Sequence, residues 1–213
     1  VYAWSENYIL PLSHDEVVHG KRSLIGKMPG DLWQKLANTR ALLGFMWAFT
    51  GKQLIFMGAE MGDLREWSEE RELDWYLLAE EKHQQLQSYV AALQHLYTKN
   101  KAMYELDCQP EGFEWINADD AYRSIFSFVR HSADGKNNLL FVINFTPVPR
   151  PDYRVGVPRR KQYRLILNSD EEKYGGTGKK RPAVYKAEKS ECDGRPYSFG
   201  YDLPAYGVAV FEF

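Results

Sequence analysis

Apolar positions in the first half of the chain fall into short runs separated by stretches with helical spacing. Residues 8–12 read as a buried strand. After the breaker Pro29-Gly30, Leu32, Leu36, Leu43 and Trp47 recur at near-helical spacing. This predicts a helix over 32–49, with Asp31 where an N-cap belongs and Gly51 as its stop. Residues 53–57 read as a second buried strand, followed by a charged loop over 63–74. The stripe Leu86, Val90, Leu93 and Tyr97 then predicts an amphipathic helix over 80–100. Strand, helix, strand, helix is the rhythm of a parallel α/β architecture.

From Leu106 onward the helical period disappears. Short β-rich runs lie between turn signals such as Asp119-Asp120 and Ala133-Asp134-Gly135. Strands are predicted near 113–117, 122–130, 138–145, 162–167, 183–188 and 207–213. Leu139-Leu-Phe-Val-Ile143 is almost continuously apolar, as a central strand buried on both faces would be. The chain therefore divides into an α/β unit over 1–105 and a small antiparallel sandwich over 106–213, the second expected to fold more independently. The stretches 159–161 and 173–181 are charged or glycine-rich and read as solvated loops. The proline-rich Thr146-Pro-Val-Pro-Arg-Pro151 reads as a rigid sandwich loop.

Composition narrows the function classes. With 213 residues, 44% apolar and 26% charged, the chain can bury a sizeable core and is not a disordered tail. Its longest apolar run, 41–49, is about half of the ~20 residues a membrane span requires. The 27 basic and 29 acidic side chains leave a net charge of -2, which gives no electrostatic reason to bind nucleic acid or an anionic membrane. Two cysteines, Cys108 and Cys192, are too few for a disulfide framework or a four-ligand zinc site, and a reducing cytoplasm fits them best. Aromatics at 15% suit a sugar-stacking surface and an ordinary aromatic core equally. The chain opens Val-Tyr-Ala-Trp, without an initiator Met or a signal peptide, so a further N-terminal part is expected.

The densest polar cluster, Ser13-His14-Asp15-Glu16-Val17-Val18-His19-Gly20-Lys21, directly follows the first predicted strand. In parallel α/β folds functional side chains are displayed at the carboxyl ends of strands, where the following loop opens into the site. Zinc is a poor reading, because Asp15 and not His precedes Glu16, so the paired-histidine helix motif is absent. The bland reading of His14 and Asp15 is a strand-end pair that caps the next turn. By the same geometric argument Glu60 follows the second strand and points toward the site, or else pairs with Arg65 or Lys21. Trp67 and Trp75 flank the charged loop and either stack on sugar units or anchor that loop.

The surrounding words decide between these readings. The stretch Leu10-Pro-Leu-Ser-His-Asp-Glu-Val-Val-His-Gly-Lys21 is followed in order by Lys27-Met-Pro-Gly-Asp31, Trp33-Gln-Lys-Leu-Ala-Asn38, Phe56-Met-Gly-Ala-Glu60, Arg65-Glu-Trp67 and Leu73-Asp-Trp75. Then come Gly112-Phe-Glu-Trp115, Asn144-Phe-Thr-Pro-Val-Pro-Arg150 and Asn168-Ser-Asp170. This series closely resembles the glycogen branching enzymes of the α-amylase superfamily, along nearly the whole chain. The resemblance implies the C-terminal fragment of a (β/α)8 TIM barrel followed by an antiparallel β-sandwich domain. It also implies a retaining glycosyl transfer that cleaves an α-1,4 bond of α-glucan and makes an α-1,6 branch, with no cofactor and no metal.

Within that resemblance Asp15 occupies the position of the third family carboxylate. That residue binds sugar hydroxyls and, being ionised, favours the oxocarbenium-like transition state, while His14 adds a hydrogen bond. Lys21, Glu60, Trp67 and Trp75 join them as candidate substrate contacts, Lys21 on the acceptor side. The family's nucleophilic Asp and acid/base Glu lie upstream of the His-Asp pair. Fourteen residues precede Asp15 here, and Glu6 is their only carboxylate. The chain alone is therefore expected to be inactive and to need the N-terminal part of the same barrel as its partner. Ala79-Glu80-Glu81 looks like the family's acid/base segment but lies downstream, where acidic residues suit a helix start. A hydrolytic relative such as a trehalose-releasing hydrolase, or a non-catalytic glucan-binding fragment, are the alternatives, and the match through Lys27-Met-Pro-Gly-Asp31 favours branching.

Overall fold

A computed structural model describes residues 4–213. Strands β1 (Ile9–Leu12) and β2 (Lys52–Ile55) pair in parallel, with Ile9 opposite Lys52 and Leu12 opposite Ile55. Helix α1 (Leu32–Ala48) makes the crossover between them, and α2 (Glu81–Lys99) follows β2. The start of α1 is set where the sequence places it. Asp31 accepts from the Gln34 amide and Gln34 Oε1 accepts from the Asp31 amide, both at 2.9 Å, which satisfies two otherwise orphaned donors.

Both strands were expected to be buried, and each is buried on one face only. Along β1 and β2 half-buried residues alternate with exposed ones, and Ile9 and Leu54 stand 56% and 39% exposed. Leu10, Leu12 and Ile55 pack toward the helices. A two-stranded sheet with period-2 side chains can cover one face with α1 and α2, and no layer lies on the other among the described residues.

The second half builds two antiparallel layers. Strands β3 (Phe113–Asp120), β4 (Ile125–Arg130), β5 (Leu139–Asn144), β7 (Gln162–Asn168), β8 (Val184–Lys186) and β10 (Val208–Glu212) form one sheet in the order β3-β4-β5-β10-β7-β8. Strands β6 (Arg150–Val157) and β9 (Tyr197–Leu203) form a separate ribbon. As predicted, β5 is buried at every position. Leu139, Phe141 and Ile143 face the helices, whereas Leu140 and Val142 face the β6-β9 ribbon. Val208 and Val210 of β10 repeat the first pattern, and Ala209 and Phe211 the second.

Strands β6 and β9 are absent from the sequence-based prediction, which read 146–151 as loop. Pro151 and Gly156 interrupt the β signal of β6, and Gly200 that of β9. The structure tolerates Pro151 because the β6-β9 register skips between Arg150 and Tyr153, at a bulge where Asp152 takes φ 46°. The loop over 173–181 is exposed at Lys173 and over 177–180, as a solvated loop would be, but its Gly175 end is clamped to α1. Trp33 Nε1 and Arg40 Nη2 both donate to the Gly175 carbonyl, at 3.0 and 3.2 Å. At its base Arg181 pairs with Asp170 at 3.0 Å, both side chains 5% exposed.

Helix α1 lies in the middle of this arrangement. Leu36, Ala41, Leu43 and Trp47 share one continuous core with Leu86, Tyr89 and Leu93 of α2 and with Phe128, Phe141 and Val210 of the sheet. The approach is close enough to require Gly44, where a β-carbon would lie 2.5 Å from Tyr89 Oη and 2.8 Å from a Val208 methyl. Among the described residues no helix is long and apolar enough to cross a membrane.

Candidate active site

His14 and Asp15 lie on a single helical turn (His14–Glu16) that begins two residues after β1 ends. The turn is made by its own residues. Ser13 caps it by accepting from the Asp15 amide at 3.2 Å, and the Glu16 carboxylate accepts from the Ser13 amide at 2.5 Å and its hydroxyl at 3.1 Å. Burial works against ionisation of Glu16, yet these Ser13 hydrogen bonds hold its carboxyl below the usual range. Glu16, one of the cluster's candidate acid/base groups, is thus spent on the capping box, and His14 and Asp15 are left free of that task.

His14 Nε2 stands 3.4 Å from Asp15 Oδ1, with the side chains 56% and 69% exposed. A contact this exposed adds little to stability. The pair is therefore no structural prop, and it presents a carboxylate and an imidazole to whatever approaches the carboxyl end of β1. Behind it, His14 is 6.0 Å from the Phe56 ring, and Phe56 meets Trp67 edge to face at 5.1 Å, centroid to centroid. Phe56 and Trp67 line a cleft with Leu12, Val17, Leu24 and Gly62. No group of His, Cys, Asp and Glu among the described residues is arranged to hold a metal ion.

The structure draws some of the candidate residues to this turn. Lys21 Nζ donates to the Asp15 carbonyl at 2.7 Å, and the Trp67 amide donates to Val17 O at 2.9 Å. Glu60 lines a separate groove with Ile55, Gln87, Ala91 and Gln94, on the α2 side of β2. Of its two expected partners, Lys21 is engaged with Asp15, and Arg65 is engaged with Asp74: Arg65 Nε lies 2.6 Å from Asp74 Oδ2, and Asp74 is 2% exposed. Trp75 opens the turn Trp75–Ala79 directly after that buried aspartate and is 53% exposed, with Tyr76 beside it 66% exposed.

One residue of the site escaped the sequence reading. Glu66 accepts from the backbone amides of Gly20 at 3.0 Å and Arg22 at 2.6 Å. The Arg22 and Gly20 bonds hold its carboxyl below the usual range. Glu66 was visible only as the middle of Arg65-Glu-Trp67 in a charged loop. The one local hint was Gly20, whose φ of 79° suits glycine.

The chain thus pairs two parallel strands, the first of which displays a His-Asp turn, and backs them with helices and a β-sandwich. Residues 115–213 match the family described as alpha amylase, C-terminal all-beta domain. The crystal structure of alpha-amylase from H. orenii shares the fold, with TM-score 0.57 at 18% identity, over 96% of this chain and 39% of that one. Over nearly its whole length the chain is similar to 1,4-alpha-glucan branching enzymes, of which it resembles a C-terminal portion. It is 52% identical over 211 residues to 1,4-alpha-glucan branching enzyme GlgB of Aquifex aeolicus (strain VF5), covering 99% of this chain and 34% of that protein. It is 50% identical over 212 residues to GlgB of Pseudomonas putida, covering 100% of this chain and 29% of that protein. The chain thus spans about a third of the length of the curated relatives it matches.

Proposed function

We propose that the chain is the C-terminal portion of a 1,4-α-glucan branching enzyme, a glycosyltransferase of glycogen synthesis. The observation that carries this reading is the match of about half of all positions along the entire chain to enzymes of that name. In this reading β1, α1, β2 and α2 are the last two strand-helix units of a (β/α)8 barrel, and 106–213 is the appended sandwich. The parallel pairing of β1 with β2 across α1 supports it, as does the exposure of Ile9 and Leu54 on a face that further strands would cover.

The reaction follows from retaining glycosyl transfer. An α-1,4 bond is cleaved as a carboxylate attacks the anomeric carbon and an acid protonates the leaving oxygen. The resulting glycosyl-enzyme then passes its chain to a 6-hydroxyl of an acceptor glucan. The nucleophile and the acid/base residue belong to the two thirds of such an enzyme outside these residues. Asp15 supplies the third carboxylate. It binds hydroxyls of the sugar at the cleavage point, and its charge is worth most when positive charge develops on the ring, while His14 donates a hydrogen bond. Trp67 and Trp75 offer faces for glucose units, with Lys21 bordering the glucan path.

The test uses the complete enzyme and its Asp15→Asn variant on amylose, following iodine colour and the α-1,6 linkages formed. Loss of one preorganised electrostatic contact should lower kcat about a hundredfold, with KM little changed. Parental kcat in the variant, or reducing ends released without α-1,6 linkages in the parent, would overturn the reading. The 213-residue chain alone should leave amylose unchanged.

A further inference from the structure

The loop between the His14–Glu16 turn and α1 contains two residues in left-handed backbone, Gly20 at φ 79° and Arg22 at φ 65°. Glycine adopts that conformation freely, whereas a side-chain residue such as Arg22 does so only when something holds it there. That something is the Glu66 carboxylate. The amides of Gly20 and Arg22 converge on its two oxygens separately, Gly20 to Oε2 at 3.0 Å and Arg22 to Oε1 at 2.6 Å. Converging backbone amides around left-handed residues form a concavity suited to an anion, and here a side chain from another loop fills it.

Lys21 is the residue between these two amides. With the backbone held on both sides, its side chain reaches back along the loop and donates from Nζ to the Asp15 carbonyl at 2.7 Å. The Trp67 amide grips the same loop at Val17 O, at 2.9 Å. We propose that Glu66 is a positioning residue for Asp15: it fixes the backbone on either side of Lys21, and Lys21 in turn fixes the backbone of Asp15. This deepens the reading of Asp15 as a transition-state contact and rests on it. A carboxylate whose value depends on its distance from a developing charge gains from such a hold, because small displacements weaken a charge contact steeply.

The test takes Glu66→Ala, Glu66→Gln, Lys21→Met and the Glu66→Ala/Lys21→Met double variant in the complete enzyme, with Asp15→Asn alongside. All are assayed well below their melting temperatures. Glutamine keeps the shape of Glu66 but turns an N–H donor toward one of the two amides, so it should behave much like alanine. Each single variant should lower kcat about tenfold or more while KM changes less than about twofold. Amide exchange at Gly20 and Arg22, measured on the 213-residue chain, should accelerate in both Glu66 variants. Because the two residues act in series, the double variant should be no slower than the worse single.

Losses that multiply in the double variant would overturn the route through Lys21. Parental kcat in Glu66→Gln, with exchange at Gly20 and Arg22 accelerated, would overturn the positioning role, leaving a loop brace. In both cases Asp15→Asn remains slow. If Asp15→Asn itself runs at the parental rate, the reading of the site falls, and this proposal with it.

Discussion

Arg130, fully buried in β4, donates from Nη2 to Oδ1 of Asp107 at 2.8 Å. The same guanidinium closes the C-terminus of α1, donating from Nη1 to the carbonyls of Ala48 and Phe49 at 2.9 Å each, and reaches Met103 O at 3.1 Å. Asp107 then accepts from the Gly51 amide at 3.1 Å and from Lys52 Nζ at 3.0 Å, at the point where the chain enters β2. One arginine of the β-sheet thus satisfies the orphan carbonyls of the crossover helix and, through one aspartate, sets the start of the next parallel strand.

Removing it should be costly. Arg130→Met keeps most of the apolar stem but takes the donor from three carbonyls and leaves the buried Asp107 with only Gly51 and the half-exposed Lys52. Breaking a buried pair from one side costs about 3–5 kcal/mol. Urea denaturation followed by circular dichroism should show that loss for Arg130→Met and a smaller one for Asp107→Asn, which can still accept from Gly51. A change below about 1 kcal/mol for Arg130→Met would mean that the brace is dispensable.

The shared core changes what is expected of the isolated second half. Judged by its patterning, the sandwich should be the more independent part. Yet Phe113, Phe128, Phe141, Ile143, Val208 and Val210 all belong to the core that α1 shares. A chain beginning at residue 106 exposes that face, and a contiguous apolar surface of this kind promotes association. Such a truncation should bind a hydrophobic dye and self-associate more than the full chain does. A monomeric, dye-negative 106–213 with a sharp melt would show that α1 contributes nothing to the sandwich.

Gly44 sets two effects against each other. Replacing an interior helical glycine by alanine should gain about 1 kcal/mol of helix propensity. The added carbon would lie 2.5 Å from Tyr89 Oη and 2.8 Å from a Val208 methyl, and overpacking of a close contact costs about 1–3 kcal/mol. The contacts come from two different elements, so neither can yield without moving the other's packing. Gly44→Ala should therefore lower the melting temperature, and adding Val208→Ala should recover part of the loss. A higher melting temperature for Gly44→Ala would mean that α1 can shift freely against the sheet.

The Glu66 clasp has a defined pH window. Its folded carboxyl is held below the ordinary range by the Arg22 and Gly20 amides. A group depressed on folding stabilises above its unfolded pKa, about 4.3 for glutamate, and that contribution disappears as pH falls through the lower folded value. Amide exchange at Gly20 and Arg22 should stay slow at neutral pH, and protection there should fall in acid before the α1 core opens. In Glu66→Gln protection should be low and should not change across that window. Equal pH dependence in parent and variant would place the titrating group elsewhere.

Some of this architecture was legible in local pattern. The Asp31 cap, the stripe of α2 and the continuous apolar run of β5 each have their cause within a few residues, so spacing alone exposes them. The His14-Asp15 pair stands out only through the ordered series of residues around it, and the closure of its turn by Ser13 and Glu16 is seen only in the structure.

What only the tertiary structure decided has its cause far along the chain. Glu66 finds its amides 46 and 44 residues upstream, and Arg130 finds the end of α1 82 residues upstream. Strand β6 survives Pro151 because β9 pairs with it around a bulge, and the glycine-rich loop near 175 is ordered because Trp33 and Arg40 of α1 seize its carbonyl. Apolar periodicity records which face of an element will be buried, because that depends on the element's own geometry. It cannot record which buried donor meets which acceptor, because that is settled only when the layers stack and every desolvated polar group must find a partner.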